Sequence, residues 1–217
     1  MADIFQEVDE EMRREQLKKL WQRYGNLIVA VCLLIIAGVG GWRGYEWWQT
    51  KTAAEAGAAF EQAVMLAEAG KTQEAQAAFA KIAAGGSSSY RVLARLREAA
   101  ELVRTDRQAA VKAYDAIAAD SSVGQVIQDL ASLRAGFLLV DTTSYGDMRA
   151  RLEPLTGPDR TFRYTAREVL ALSAWKEGDF GAVRQWTDTL TNDPQTPAGT
   201  RSRAQVLSEL IAANGKD

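Results

Sequence analysis

Histidine is absent from this 217-residue chain, and cysteine occurs once, at Cys32. Without imidazole there is no Ser-His or Cys-His catalytic pair and no histidine metal ligand. A single thiol forms no intramolecular disulfide and no cysteine-rich zinc site. Conventional hydrolase and zinc chemistry are thereby removed, and an enzyme would have to use carboxylates or a Ser-Lys pair. Proline is scarce too, with four residues, all beyond position 153. Aromatic residues make up only 8%, and the formal charge is −2. So small a charge gives no bulk attraction to nucleic acid, and no nucleic-acid partner is expected.

Alanine is abundant instead, at 37 of 217 residues. That level favours close-packed helices and opposes a sandwich or barrel. Apolar residues at 47% and charged residues at 25% are globular values. An all-α chain is expected.

Nineteen uncharged residues, YGNLIVAVCLLIIAGVGGW, lie between Arg23 and Arg43. A helix of about 20 residues spans the roughly 30 Å hydrocarbon core of a bilayer. Leu27, Ile28, Val29, Val31, Leu33, Leu34, Ile35, Ile36 and Trp42 are the expected membrane anchor. Trp21 and Tyr24 flank one end, while Trp42, Tyr45, Trp47 and Trp48 crowd the other, as amphipathic rings do at headgroup level. Arg43 can snorkel outward. A cleaved signal peptide fits less well. The leader is long and carries six acids, and a bulky Trp-rich stretch follows the apolar core. Arg13, Arg14, Lys18, Lys19 and Arg23 precede the span, against Arg43 and Lys51 just after it. This bias predicts a cytoplasmic N-terminus and an extracytoplasmic, periplasmic C-terminal domain. The segments are then a cytoplasmic amphipathic leader (1–23), a transmembrane helix (24–48) and the outer domain (49–217). The leader places Phe5, Val8 and Met12 at helical spacing, followed by Leu17, Leu20, Trp21 and Tyr24. It reads as a helix on the membrane surface or as a docking helix for a membrane partner. Ala37 and Gly41, and Gly40 and Gly44, stand four apart, a spacing open to homo-oligomers through the transmembrane helix.

No breaker separates Glu46 from Ala69, so the membrane helix can run on into the first outer helix. Helical runs then alternate with short punctuation. The first pair covers Ala58–Gly86, with Phe60, Ala63, Val64 and Ala67 facing Ala75, Ala78, Phe79 and Ile82 across Gly70-Lys71. In the second, Tyr90–Ala119, Leu93, Leu96, Ala99, Ala100 and Val103 face Ala110, Ala113, Tyr114 and Ile117, with a cap at Thr105-Asp106. The third, Val123–Leu155, carries Leu130, Leu133 and Phe137, then Met148, Leu152 and Leu155. The fourth, Thr161–Leu190, carries Tyr164, Val169, Leu172 and Trp175, then Ala182, Val183, Trp186 and Leu190 after Gly178-Asp179. A last helix is expected after a Thr196 cap, with Val206, Leu207, Leu210 and Ile211 covering the open end. The loops are expected at Gly85–Tyr90, Asp141–Asp147, Thr156–Thr161 and Thr191–Thr200. None ends in the Gly-Lys-Ser/Thr of a phosphate-binding loop, and no cofactor is expected.

On the second helices a large residue recurs as Phe79, Tyr114, Leu152 and Trp186, at separations of 35, 38 and 34. That matches the tetratricopeptide period of 34, with an insertion in the third unit. A tetratricopeptide-like α-solenoid of about four helix pairs with a C-terminal capping helix is the expected fold.

The span ending in GWRGYEWWQ (Gly41–Gln49), the leader before it and the repeats beyond resemble the ancillary subunit of the bacterial Sec translocon. The resemblance covers nearly the whole chain, and GWR before the aromatic cluster is its most specific feature. It implies a non-enzymatic inner-membrane adaptor beside the channel. It also implies partnership with Sec translocon subunits and a periplasmic prolyl isomerase or chaperone, to which emerging polypeptides are handed. No motif of the family assigns binding residues. The residues themselves leave a second reading open, an envelope assembly or cell-division scaffold unrelated to secretion. A third, a carboxylate enzyme, needs a deep pocket of convergent acids.

Overall fold

The structure, a computed structural model, describes residues 3–85 and 88–213. Every regular element among them is helical, as the alanine content and the 3.6-residue periodicities require. The helices are α1 (Asp3–Glu68), α2 (Thr72–Gly85), α3 (Ser88–Leu102), α4 (Arg107–Ala118), α5 (Gln125–Leu139), α6 (Tyr145–Leu152), α7 (Arg163–Glu177), α8 (Phe180–Asn192) and α9 (Ala198–Ala213). Short 3-10 turns occupy Ser121–Val123 and Glu153–Leu155. The chain divides into two units, Met1–Glu55 and Ala56–Asp217. Helix α1 runs unbroken for 66 residues, as the absence of a breaker before Ala69 predicts.

Within Ala56–Asp217 each helix from α2 onward packs on the next in sequence, and Phe60 and Ala63 of α1 pack on Ala75 and Phe79 of α2, the arrangement of stacked helix pairs. The four recurring large residues fill successive layers: Phe79 and Leu152 are wholly buried, Tyr114 and Trp186 nearly so. Around them alanines such as Ala63, Ala75, Ala94, Ala99, Ala131 and Ala166 lose all solvent contact, which lets the helices close on one another. Phe60 meets Phe79 edge-on at 5.5 Å and Tyr90 at 5.7 Å. Gly136 brings α5 against α6 so tightly that a Cβ there would stand 3.1 Å from a Leu152 methyl.

The turns follow from local chemistry. Gly70 and Gly178 take φ of 74° and 76°, a left-handed conformation that only glycine adopts cheaply. In both, the following amide reaches back five positions: Lys71 N–H to the Leu66 carbonyl and Asp179 N–H to that of Ala174. Asp106, Ser144 and Asp179 cap α4, α6 and α8 by accepting the amides of Ala109, Asp147 and Ala182. The insertion expected in the third unit lies in the connector between α4 and α5, which holds the turn Ser121–Val123.

Several expectations are corrected. Leu93, Val103, Phe137 and Leu172 do not join the core but stay substantially exposed. The open end is covered by Ala204, Leu207 and Ile211, whereas Val206 and Leu210 remain largely exposed. Thr196 does not cap α9; its hydroxyl is buried with no hydrogen-bond partner among the described residues. Arg201 braces the preceding bend, donating to the carbonyls of Asp193, Pro194 and Thr196. The expected loops are shorter than read, because Gly85 ends α2 and Tyr145–Asp147 opens α6. Gly86 and Ser87, from the first of those loops, lie outside the described residues. So do the leader side chains of Phe5, Val8, Met12, Leu17 and Leu20.

Candidate docking groove and membrane anchor

In the Met1–Glu55 unit, Leu27, Val29, Val31, Leu33, Leu34, Ile35, Ile36 and Trp42 all stand exposed on α1. The side chain of Ile28 lies outside the described residues. Leu34 is 73% exposed and Ile36 67%, values that a core helix does not show. Leaving so many large apolar side chains in water is costly, at about 25 cal/mol per Å². One helix among the described residues is long and apolar enough to cross a membrane, with a window of mean hydropathy 2.1 on Trp21–Glu68. Cations sit on the aromatic rings at both ends: Arg23 lies 5.7 Å from the Tyr24 ring and Lys51 5.3 Å from that of Trp47. Arg43 pairs with Glu46 at 3.4 Å.

In the Ala56–Asp217 unit, the first helices of three successive pairs enclose a groove of about 520 Å³. Phe60 comes from α1; Leu93, Leu96, Arg97 and Ala100 from α3; Leu130 and Arg134 from α5; Tyr114 of α4 closes the floor. The floor is apolar and open, with Leu93 45% exposed. Burial pushes the Tyr114 phenol above its ordinary pKa of 10, while the neighbouring Arg134 pulls it back. The phenol therefore stays neutral.

The groove's helices share a short sequence signal. LARLR (Leu93–Arg97) on α3 recurs as LASLR (Leu130–Arg134) on α5. In each copy the alanine, Ala94 or Ala131, is fully buried against the preceding pair. The leading leucine and the closing arginine, one turn apart, both line the groove. Arg97 and Arg134 were not among the expected functional residues, because isolated charges on a helix read as solvated surface. The LAxLR echo is the signal that distinguishes them.

Several other charges hold the stack together. Arg95 bonds Asp120 at 2.6 Å, and Arg160 bonds Asp129 at 3.0 Å. Arg151 pairs with Asp115, and Arg203 with Glu168. Asp120 is held down to about 2 by the Ser122 hydroxyl, Arg95 and the Ser122 amide. Asp193 is likewise lowered, first by the Gln195 amide and then by the Tyr164 hydroxyl. Burial raises the Glu98 carboxyl against the pull of Arg95. A smaller apolar hollow of about 220 Å³ lies between α7, α8 and α9, lined by Leu172, Val206 and Leu210 and rimmed by the Glu168–Arg203 pair.

Comparison with known proteins adds two findings. Residues 18–169, more than half of the chain, match the family described as tetratricopeptide repeat-like domain. Over 131 residues the chain is 28% identical to the ancillary SecYEG translocon subunit of Haemophilus influenzae, covering 58% of this chain and 62% of that protein. It thus spans less than two thirds of the length of that relative. No solved structure matches. The family match ends within α7, so α8 and α9 extend the stack beyond it.

Proposed function

The chain belongs to the tetratricopeptide repeat-like family, and on that basis we propose that it is a membrane-anchored, non-catalytic adaptor of the Sec translocon. One observation carries the reading: the first helices of the stack leave an open apolar groove where a self-sufficient core would have closed it. Helical repeats use such lines of unburied side chains to hold segments of other proteins. Similarity to a subunit named for its association with SecYEG supports the translocon as the place of work.

In this proposal residues 24–48 form the transmembrane helix, with Leu27, Ile28, Val29, Val31, Leu33, Leu34, Ile35, Ile36 and Trp42 in lipid. Residues 1–23 lie in the cytoplasm, and 49–217 form the periplasmic domain. The excess of Lys and Arg before the span supports that orientation. The tether raises the effective concentration of the groove beside the channel, so that weak contacts suffice to intercept an emerging polypeptide. Delivery to a periplasmic prolyl isomerase or chaperone completes the role.

Photocrosslinking in intact cells from positions 93 and 137, followed by purification in mild detergent, tests this. Capture of channel subunits, nascent secreted chains and a periplasmic folding factor is the expected result. Capture of envelope-assembly or division proteins alone would replace the translocon role with that of a scaffold. A reporter fused after residue 217 that is active only in the cytoplasm would overturn the orientation.

A further inference from the structure

The two LAxLR arginines differ from five arginines that tie one element of the stack to another. Arg95, Arg151, Arg160, Arg167 and Arg203 each reach a carboxylate of the stack. Arg97 and Arg134 reach none among the described residues, although both line the groove. No carboxylate lines the groove either. Of the nearby acids, Glu98 forms no ion pair with either arginine, and Glu101 lies 4.0 Å from Arg104. Two uncompensated guanidinium groups therefore flank an open apolar floor.

That pairing of chemistry is selective. An apolar floor rewards leucine-like or aromatic side chains without regard to charge. Guanidinium groups beside a partly dry surface bind carboxylates through paired, charge-assisted hydrogen bonds and repel ammonium groups. Arginine at such a position is a frequent energetic anchor in protein interfaces. The spacing repeats as well: Leu93 and Arg97 on one helix, Leu130 and Arg134 on the next, each one turn apart. A partner that satisfies both rows needs apolar residues and carboxylates side by side.

We propose that the α1–α3–α5 groove is specific for acidic amphipathic segments of partner proteins, with Arg97 and Arg134 as the carboxylate-reading residues and Leu93, Leu96 and Leu130 as the apolar seat. This inference rests on the groove being a binding site, as proposed above, and adds the chemistry of what it accepts. Basic amphipathic segments of equal hydrophobicity are excluded by the same two arginines.

Calorimetric titration of the full chain in nonionic detergent tests it. The probe is a synthetic peptide of about fifteen residues, roughly four helical turns, with leucine and glutamate at helical spacing. Versions with glutamine or lysine in place of glutamate serve as comparison. The glutamate peptide is expected to bind at least about tenfold more tightly than the glutamine form, with the difference shrinking in salt. The lysine form is expected to bind more weakly still. In the double variant R97E/R134E the order should invert, with the lysine peptide preferred. Both side chains are exposed and without ion pairs among the described residues, so helix content and melting should hold, and circular dichroism checks this.

Equal affinity for the glutamate and glutamine peptides, no binding of any of them, or an unchanged order in the double variant would overturn the inference. A chain that discriminates among the peptides but captures no translocon subunit in cells would leave the inference standing and defeat only the translocon assignment.

Discussion

Arg160 donates from one guanidinium nitrogen to both carboxylate oxygens of Asp129, at 3.0 and 3.1 Å. The bond ties the turn before α7 to the second turn of α5, and the Asp129 side chain is only 8% exposed. Removing Arg160 strands a buried carboxylate. Arg160→Ala is expected to destabilise the folded chain by about 3 kcal/mol, and the double change D129A/R160A by less. Urea unfolding of both variants, followed by circular dichroism, measures the difference.

Phe79 and Leu93 separate the frame from its lining. Phe79 is wholly enclosed between α1, α2 and α3, so Phe79→Ala should cost about 3–5 kcal/mol of stability. Leu93 faces the open groove, so Leu93→Ala should shift stability by no more than about 0.5 kcal/mol. The same substitution should weaken capture of partner segments. Paired unfolding and binding measurements on the two variants check the contrast.

Gly178 closes the turn between α7 and α8 at φ 76°. An L-residue placed there strains the backbone by about 1–2 kcal/mol. Gly178→Ala is expected to lower the melting temperature although its Cβ would meet no neighbour. A melting temperature equal to that of the parent would contradict this account of the turn.

Asp120 links acidity to the joint between α3 and the α4–α5 connector. Its carboxyl is held at about 2, below its ordinary 3.8, by the Ser122 hydroxyl first and by Arg95 next. Because the folded value is depressed, this contribution is fully present above about pH 4 and fades as pH falls toward 2. A carbon-13 titration of the carboxyl should return a low midpoint, rising in both Ser122→Ala and Arg95→Ala.

The anchor predicts its own failure. Arginine near the middle of a span costs about 2.5–3.5 kcal/mol of insertion free energy. The double change L34R/I35R, at the centre of Leu27–Trp42, should release chain into the soluble fraction after carbonate extraction. Full retention of the variant in the membrane pellet would contradict the assignment of this segment.

The layers of the stack were legible because one bulky residue per pair must fill each gap between alanine-rich helices. Phe79, Tyr114, Leu152 and Trp186 announce that need at a nearly constant spacing, and all four are buried. The groove was harder to read for a physical reason. Helical periodicity marks which face is apolar but not whether the chain itself covers that face. Leu93, Phe137 and Leu172 therefore looked like core and prove to be exposed. Arg97 and Arg134 were hidden by the opposite default, since a helical arginine usually points to water. Only the LAxLR echo, combined with a groove lining that holds no carboxylate, sets them apart. Thr196 has the residue type of a cap, yet its hydroxyl is buried without a partner among the described residues, and Arg201 braces the carbonyls of that bend.

Alanines such as Ala94 and Ala131 are sealed between helices, while the leucine immediately before each and the arginine three positions after it face outward. Heredity can therefore edit recognition and architecture on separate ledgers. Mutations at the outward positions can retarget the chain to new clients while its scaffold persists, whereas any enlargement of the sealed methyls is purged regardless of client. Across descendants of this chain, the alanine columns should age slowly and their arginine neighbours should drift with whatever they serve.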